Sequence, residues 1–255
     1  MSASLSIYPL ENFPLVEPGD NLSQLIAQSI GDNNLLLQQG DVLVIAQKII
    51  SKAEDRYAYL NNITASEEAV KLALETDKDP RQVELILRES KELIRTRPGV
   101  IIVEHKLGYV HANAGIDKSN IHSDDDNPRL LLLPEDSDSS AEQIRAYLSS
   151  EFEIEVAVII NDSAGRAWRN GTVGMAIGTA GFEVLDNQIG DLDLFGRELE
   201  VTEVAVADEL AAAASFVMGQ AREGLPITLI RGANLKISEK GSNALIREKS
   251  LDLFR

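Results

Sequence analysis

Val-Ala-Val-Ile-Ile-Asn-Asp-Ser-Ala-Gly-Arg-Ala-Trp-Arg, residues 156–169, begins as a five-residue apolar run and ends in polar and cationic side chains. A mostly β-branched run of this kind predicts a strand buried on both faces. Asn161-Asp162-Ser163 closes the run, and a glycine and two arginines follow. A carboxylate and a hydroxyl at the solvent end of a buried strand suit a hard cation, which takes oxygen ligands, and arginines nearby suit a phosphate. Asp162 is therefore a candidate metal ligand in a nucleotide site. Asp and Ser are also common turn residues, so a plain turn after a strand is the competing reading. On this stretch alone both stand.

Composition narrows the partners. The chain has 255 residues, 44% hydrophobic and 25% charged, as expected of a globular protein with a sizeable core. A formal net charge of -17 argues against duplex DNA or an anionic membrane as partner, since both require a positive face. A phosphate ligand would have to be met by a local cluster of Lys and Arg or by a metal. Cysteine is absent, which excludes disulfides, thiolate zinc sites and a cysteine nucleophile. No apolar run reaches the roughly 18 residues that cross a bilayer. The N-terminus lacks the basic and apolar regions of a secretory signal, so the expected location is the cytoplasm.

Read in order, residues 5–8 predict a short strand, and Asp20 or Asn21 caps a helix over 22–30. A buried strand over 42–45 continues into Gln47-Lys48-Ile49-Ile50-Ser51-Lys52, with two lysines at its far end. Helices are expected over 66–76 and 80–95, the first with a Thr64/Glu67 capping box and the second with Asp79 before Pro80. Val83, Ile86, Leu87, Leu93 and Ile94 form the apolar stripe of the second. Residues 99–104 and 109–112 read as a hairpin delivering the loop 113–120. Asp124, Asp125 and Asp126 read as a solvated loop. A short apolar run over 130–133 precedes a helix capped by Asp138 or Ser139. After the opening strand come a small-residue segment over 172–181 and a strand over 182–185. From residue 200 the chain reads as helical, with Ala207, Leu210, Ala211, Ala214, Val217 and Met218 on one face. A strand over 226–230 and a helix from Ser242 complete the chain.

Four polar clusters each follow a buried strand or a tightly packed helix: Lys48 with Lys52, residues 113–120, residues 162–169, and residues 219–223. Rigid elements aim such clusters at a common point. Asp117 and Asp162 together suit Mg²⁺, which uses one or two protein carboxylates and takes its remaining ligands from phosphate and water. Lys52 suits a phosphate as a point charge. There is no Gly-x-x-x-x-Gly-Lys-Ser/Thr run and no Gly-x-Gly-x-x-Gly fingerprint, which disfavours a P-loop and a Rossmann site. His105, His111 and His122 show no zinc spacing and read as structural or surface residues. Trp168 reads as a packing anchor or as a stacking platform for a flat ring.

These clusters are recognisable together. They comprise residues 7–20, 40–54 (Gly-Asp-Val-Leu-Val-Ile-Ala-Gln-Lys-Ile-Ile-Ser-Lys-Ala-Glu), 112–120 (Ala-Asn-Ala-Gly-Ile-Asp-Lys-Ser-Asn), 159–169, 194–199 (Leu-Phe-Gly-Arg-Glu-Leu), 206–211 (Val-Ala-Asp-Glu-Leu-Ala) and 218–220 (Met-Gly-Gln). In this order and spacing the chain resembles the coenzyme F420-0:L-glutamate ligases over nearly its whole length. The resemblance implies a mixed α/β (α+β), two-part fold with mixed sheets, forming an intertwined homodimer. It implies one unit over residues 1–255 without a C-terminal flavin domain. It also implies GTP-dependent amide formation, through an acyl phosphate, between L-glutamate and the deazaflavin coenzyme F420-0, followed by γ-linked glutamates. The cations implied are Mn²⁺ or Mg²⁺, with K⁺ in addition.

Carried over position by position, Asp117, Asp162, Ser163 and Gln220 would hold metal. Ser163 stands where relatives often have Thr, and Gln220 where some have Glu. Glu11, Asn12, Phe13, Pro14, Gln47, Lys48, Lys52, Asn120, Met218, Gly219, Gln220, Ala221, Arg222, Glu223, Gly224 and Leu225 would line the GTP. Arg166, Trp168 and Arg169 are candidates for holding anionic substrate. Such chemistry rests on positioning and charge neutralisation and requires no catalytic nucleophile from the protein. Two alternatives stay open: a ligase of this scaffold for another acid or amine, and a metal-dependent nucleotide-binding module without catalysis.

Overall fold

The computed structural model describes residues 4–254. In chain order its elements are β1 (Ser6–Pro9), α1 (Leu22–Asp32), β2 (Val42–Ala46), α2 (Gln47–Ala53), β3 (Tyr57–Tyr59), α3 (Glu67–Thr76), α4 (Pro80–Arg88), β4 (Ser90–Arg97) and β5 (Val100–His105). There follow β6 (Val110–Ala112), β7 (Arg129–Leu131), α5 (Ser137–Phe152), β8 (Ala157–Arg166), β9 (Arg169–Ala180), β10 (Asp186–Asn187), β11 (Glu203–Val204), α6 (Val206–Met218) and β12 (Ile227–Arg231). This is a mixed α/β fold.

A five-stranded sheet in the order β1-β12-β2-β8-β9 forms the main layer. Only β2 and β8 pair in parallel; the other neighbours are antiparallel. Strand alternation sorts the apolar residues of the two central strands to opposite faces. Leu43, Ile45, Val158 and Ile160 pack into one core with Ile26 and Ile30 of α1 and Ile144 and Leu148 of α5. Val42, Val44, Ala157 and Ile159 pack into the other with Leu210, Ala211 and Ala214 of α6. That double burial is why β2 and the start of β8 read as continuous apolar runs. Residues 57–131 form a second part, entered after α2 and left before α5. It holds the ribbon β3-β7, the sheet β4-β5-β6 and a separate core around Ile86, Ile101 and Val103.

Several expectations hold in detail. Asn21 caps α1 by accepting from the Gln24 N–H, and Asp79 caps α4 with Pro80 in the first turn. Others are corrected. The strand at 156–160 does not end at the polar motif. It runs on to Arg166, because β9 supplies backbone partners throughout, Asp162 opposite Met175 and Ser163 opposite Gly174. Residues 47–53 are helical rather than a strand continuation. Helical spacing lets Ile49 and Ile50 join the first core while Lys48 and Lys52 share the other side.

The second helix stops at Arg88, and Leu93 and Ile94 belong to β4 instead. Ser66, not Thr64, caps α3, and Glu84 accepts from the Ser66 N–H. Asp136 caps α5, while Asp138 accepts from the backbone of Thr179 and Ser242. Phe182 and Val184 are buried without forming a strand. Helix α6 starts only at Val206, after the β10-β11 ribbon. Beyond Ser242 there are two single 3₁₀ turns, Ser242–Leu245 and Lys249–Leu251, in place of a helix. Among the described residues no helix is long and apolar enough to cross a membrane.

One ion pair, between a buried carboxylate and a partly exposed guanidinium, ties the start of β2 to the end of β12. Asp41, 1% exposed, receives Arg231 at 2.9 and 2.6 Å on its two oxygens, and the Gln38 N–H at 2.8 Å. Removing one partner of such a pair strands a buried charge at a cost of about 3–5 kcal/mol. Arg231→Met is therefore expected to lower the unfolding free energy in urea by about 3 kcal/mol. A loss below about 0.5 kcal/mol, the level of an ordinary surface change, would show that the pair does not stabilise the sheet.

Candidate functional site

The parallel pairing of β2 with β8 sets Ala46 opposite Asn161. Both strands therefore reach the same end of the sheet, and the residues that follow, Gln47 and Lys48 on one and Asp162 and Ser163 on the other, emerge side by side. A cleft of about 360 Å³ opens there. Its walls include Phe13 and Pro14, Gln47, Lys48 and Lys52 on α2, Asn120, Asn161 to Ser163 on β8, and the loop from Met218 to Pro226 that leaves α6.

Asp117 is brought in by the loop after β6, fixed by two backbone hydrogen bonds with Leu131. Its Oδ2 accepts from Lys48 Nζ at 2.7 Å and Gln47 Nε2 at 2.8 Å. Gln47 is in turn held by the Ser51 hydroxyl at 2.9 Å. Burial raises the Asp117 pKa and the negative charge of Asp162 adds to this, against the opposing pull of Lys48 and Gln47. The two carboxylates thus feel each other's charge.

Asp162 is 9% exposed. Its Oδ1 accepts from the Ser163 N–H at 2.8 Å, and its Oδ2 lies 3.0 Å from His111 Nε2. The contact is an ion pair whenever the ring carries its second proton. His111 Nδ1 lies 3.1 Å from the Ala112 carbonyl. Both ring nitrogens therefore face acceptors. Burial disfavours the charged ring, but Asp162 outweighs it, with Ala112 and Asp117 in support, and the His111 pKa is raised.

Ser163 Oγ donates to Gln220 Oε1 at 2.7 Å, and Gln220 Nε2 donates to Ser215 Oγ at 3.0 Å. Lys52 Nζ donates to the Asn120 carbonyl at 2.9 Å, and Asn120 Nδ2 to the Ala221 carbonyl at 3.0 Å. Burial pushes the Lys52 ammonium below the ordinary lysine range; Glu17 opposes the shift, and Lys48 and Arg129 reinforce it. The Glu223 carboxylate accepts from the Ala221 N–H at 2.7 Å, which shapes the loop after Gly219.

Most residues singled out in the sequence converge on this cleft. Asp162, Ser163, Gln220, Phe13, Pro14, Gln47, Lys48, Lys52, Asn120, Met218, Gly219, Ala221, Arg222, Glu223, Gly224 and Leu225 all line it, and Asp117 joins through Lys48 and Gln47. Glu11 and Asn12 sit just outside. The Glu11 backbone is bonded to the Asn33 side chain, and Asn12 turns the chain with φ 57° to deliver Phe13. Arg166, Trp168 and Arg169 occupy the far tip of the β8-β9 hairpin and do not line the cleft. There Arg166 donates to the Gly171 carbonyl, and Trp168 lies against Phe254 with ring centres 6.3 Å apart.

His111 is the functional neighbour that the sequence reading left among structural residues. No spacing rule links it to a carboxylate 51 positions away; only the packing of β6 on β8 brings the two together. Ser51 and Ser215, which hold Gln47 and Gln220, were equally invisible.

Among the described residues no three His, Asp or Glu side chains surround a common point. The oxygen set of Asp117, Asp162, Ser163 and Gln220 is nevertheless of the kind that suits a hard cation, which completes its shell from phosphate and water. A bound cation would relieve the effect of the Asp162 charge on Asp117.

The F420-0:gamma-glutamyl ligase family profile matches residues 11–232. The coenzyme F420:L-glutamate ligase of Methanothermobacter thermautotrophicus is 46% identical over 254 residues, covering 98% of this chain and 99% of the relative. The protein of the same name from Methanocaldococcus jannaschii is 45% identical, covering 95% and 94%. That from Methanopyrus kandleri is 44% identical, covering 99% and 98%. On this agreement over nearly the full length, the chain belongs to the F420-0:gamma-glutamyl ligase family.

Proposed function

We propose that the chain joins L-glutamate to coenzyme F420-0 in a GTP-dependent reaction and then adds γ-linked glutamates. The observation that carries this reading is the convergence of Asp117, Asp162, Lys48, Lys52 and the 218–226 loop on one cleft in a member of this family. In the reaction, a carboxylate oxygen of F420-0 takes the γ-phosphoryl group of GTP, giving an acyl phosphate and GDP. The glutamate amine then attacks the acyl carbon, phosphate leaves, the amine gives up a proton, and the amide bond forms.

Both steps move negative charge in a chain that is itself strongly acidic, so local neutralisation decides whether they proceed. Lys48 and Lys52 supply fixed positive charge on one wall. Mn²⁺ or Mg²⁺ held by Asp117 and Asp162, with Ser163 and Gln220 beside them, would add charge neutralisation when bound; K⁺ is a further proposed cation. The loop from Met218 to Leu225, together with Phe13, Pro14 and Asn120, would enclose the nucleotide. Incubating purified protein with GTP, Mn²⁺, glutamate and F420-0 should give products heavier by glutamate units in mass spectrometry. GTP bound tightly but never turned over in that mixture would favour a binding module instead.

Asp162→Ala is expected to abolish glutamyl transfer, by a factor of at least about 10² in turnover, while the far-ultraviolet circular dichroism stays native. Undiminished ligation by that variant would remove Asp162 from the reaction centre.

Lys52 gives a pH signature. Its pKa is lowered by burial, so it is charged at low pH and neutral above a value below that of an ordinary lysine. GTP affinity is expected to fall as pH rises through that lowered pKa. Lys52→Arg should remove the alkaline decline, because guanidinium stays charged. An alkaline limb unchanged in the arginine variant would exclude Lys52 as its source.

A second copy of the chain is the proposed partner. Leu194 is fully exposed and Phe195 84% exposed, with Ile189, Leu192 and Val201 also exposed on the same 189–201 excursion. Several exposed apolar side chains on one excursion favour a protein contact. Light scattering should give about 56 kDa, twice the 27.8 kDa chain mass. Leu194→Asp with Phe195→Asp should halve it; a native mass in the double variant would place the interface elsewhere.

A further inference from the structure

We infer that His111 is a positioning residue, holding the Asp162 carboxylate in the orientation that receives a divalent cation. The inference rests on the ligase reading with a cation at Asp162 and adds a residue from the other part of the fold to it. His111 lies on β6, whereas Asp162 lies on β8 of the main sheet. Its Nε2 is 3.0 Å from Asp162 Oδ2, and both side chains are about nine-tenths buried.

The imidazole has little freedom to move. Nδ1 faces the Ala112 carbonyl at 3.1 Å. The Tyr109 ring meets it edge-on with centres 6.3 Å apart, and Tyr109 is itself stacked on His105 at 5.2 Å with planes 1° apart. The ring is thus locked by its own hairpin and presents one nitrogen to Asp162. On the other side, Asp162 Oδ1 is held by the Ser163 N–H. Contacts to both oxygens fix the plane of the carboxylate, and each oxygen keeps a lone pair for an incoming ion. Partners that orient a metal-binding side chain typically contribute 10–100-fold to metal affinity.

A pair of variants that differ in the donor isolates this contact. His111→Gln keeps an N–H donor near the Nε2 position; His111→Leu fills the same space without one. Mn²⁺ binding to each purified protein is measured by electron paramagnetic resonance of the free ion, with thermal unfolding as the control for folding. The glutamine variant is expected to bind Mn²⁺ within about threefold of the native chain, and the leucine variant at least about tenfold more weakly. In the ligation assay the leucine variant should need correspondingly more Mn²⁺ for half-maximal rate while approaching the native kcat at saturating Mn²⁺. Equal Mn²⁺ affinities in the two variants would overturn the inference about His111 alone. A native chain that binds no Mn²⁺, or an Asp162→Ala variant that binds it undiminished, would overturn the cation reading beneath it.

Discussion

The in-register parallel pairing of β2 and β8 is the constraint on which the site depends. The pairing ends with Ala46 opposite Asn161, so β2 gives way to α2 at the same level at which β8 runs on beside β9 alone, carrying Asp162 and Ser163. In an antiparallel pair, Lys48 and Asp162 would emerge at opposite ends. The pairing is itself secured by burial: Leu43, Ile45, Val158 and Ile160 are fully buried on one face, and Val42, Val44 and Ile159 on the other. A one-residue slip would exchange both sets between the two cores and move Asp162 to the wrong side of the sheet. Core packing and site geometry are therefore fixed by the same contacts.

Electrostatics then explains why two parts of the fold meet here. Like charges gathered in one partly buried site disfavour each other, and the Asp162 charge adds to the burial that raises the Asp117 pKa. Asp117 and Asp162 can sit together only if each is compensated. Lys48 compensates the first from α2, and His111 the second from β6. One partner thus comes from the main layer and the other from the inserted part, so the insertion completes the site as well as forming one wall of its approach. In a chain of net charge -17, this local compensation sets the potential inside the cleft.

What was legible in the sequence was local. Asn21 and Asp79 cap helices because the cap and its N–H partner are two or three residues apart. The double-sided burial of 42–45 and 156–160 shows in composition alone. Losses came where a distant partner decides. Residues 47–53 carry a pattern that suits strand or helix; the first core, built from residues far along the chain, selects the helix. Leu93 and Ile94 continue the apolar spacing of α4, yet pairing with β5 turns them into strand. Phe182 and Val184 alternate like a strand, yet the Glu183 N–H goes to the Lys236 carbonyl and the Val184 carbonyl accepts from the Ala207 N–H at the start of α6, so no strand ladder forms. Within the site, the carboxylates, lysines and the glycine-bounded loop were visible as residue types, whereas His111 was not, since its role exists only through a contact between layers.

The width of the cleft follows from side chains that are missing. Ser163 faces Gly174 across the hairpin, and a Cβ on Gly174 would stand 2.4 Å from the Ala211 carbonyl oxygen. With no side chain there, and alanines along the facing side of α6, that helix lies directly against β9. Its last turn then ends over Ser163, where Gly219 turns the chain with φ 75°. A side chain on Gly219 would collide with the Glu223 carboxyl, which must stay close to bond the Ala221 N–H. Gln220 is thereby delivered to Ser163 at 2.7 Å. The loop that closes the cleft is placed by three small residues in series, Gly174, Ala211 and Gly219, none of which needs a polar group to shape the site.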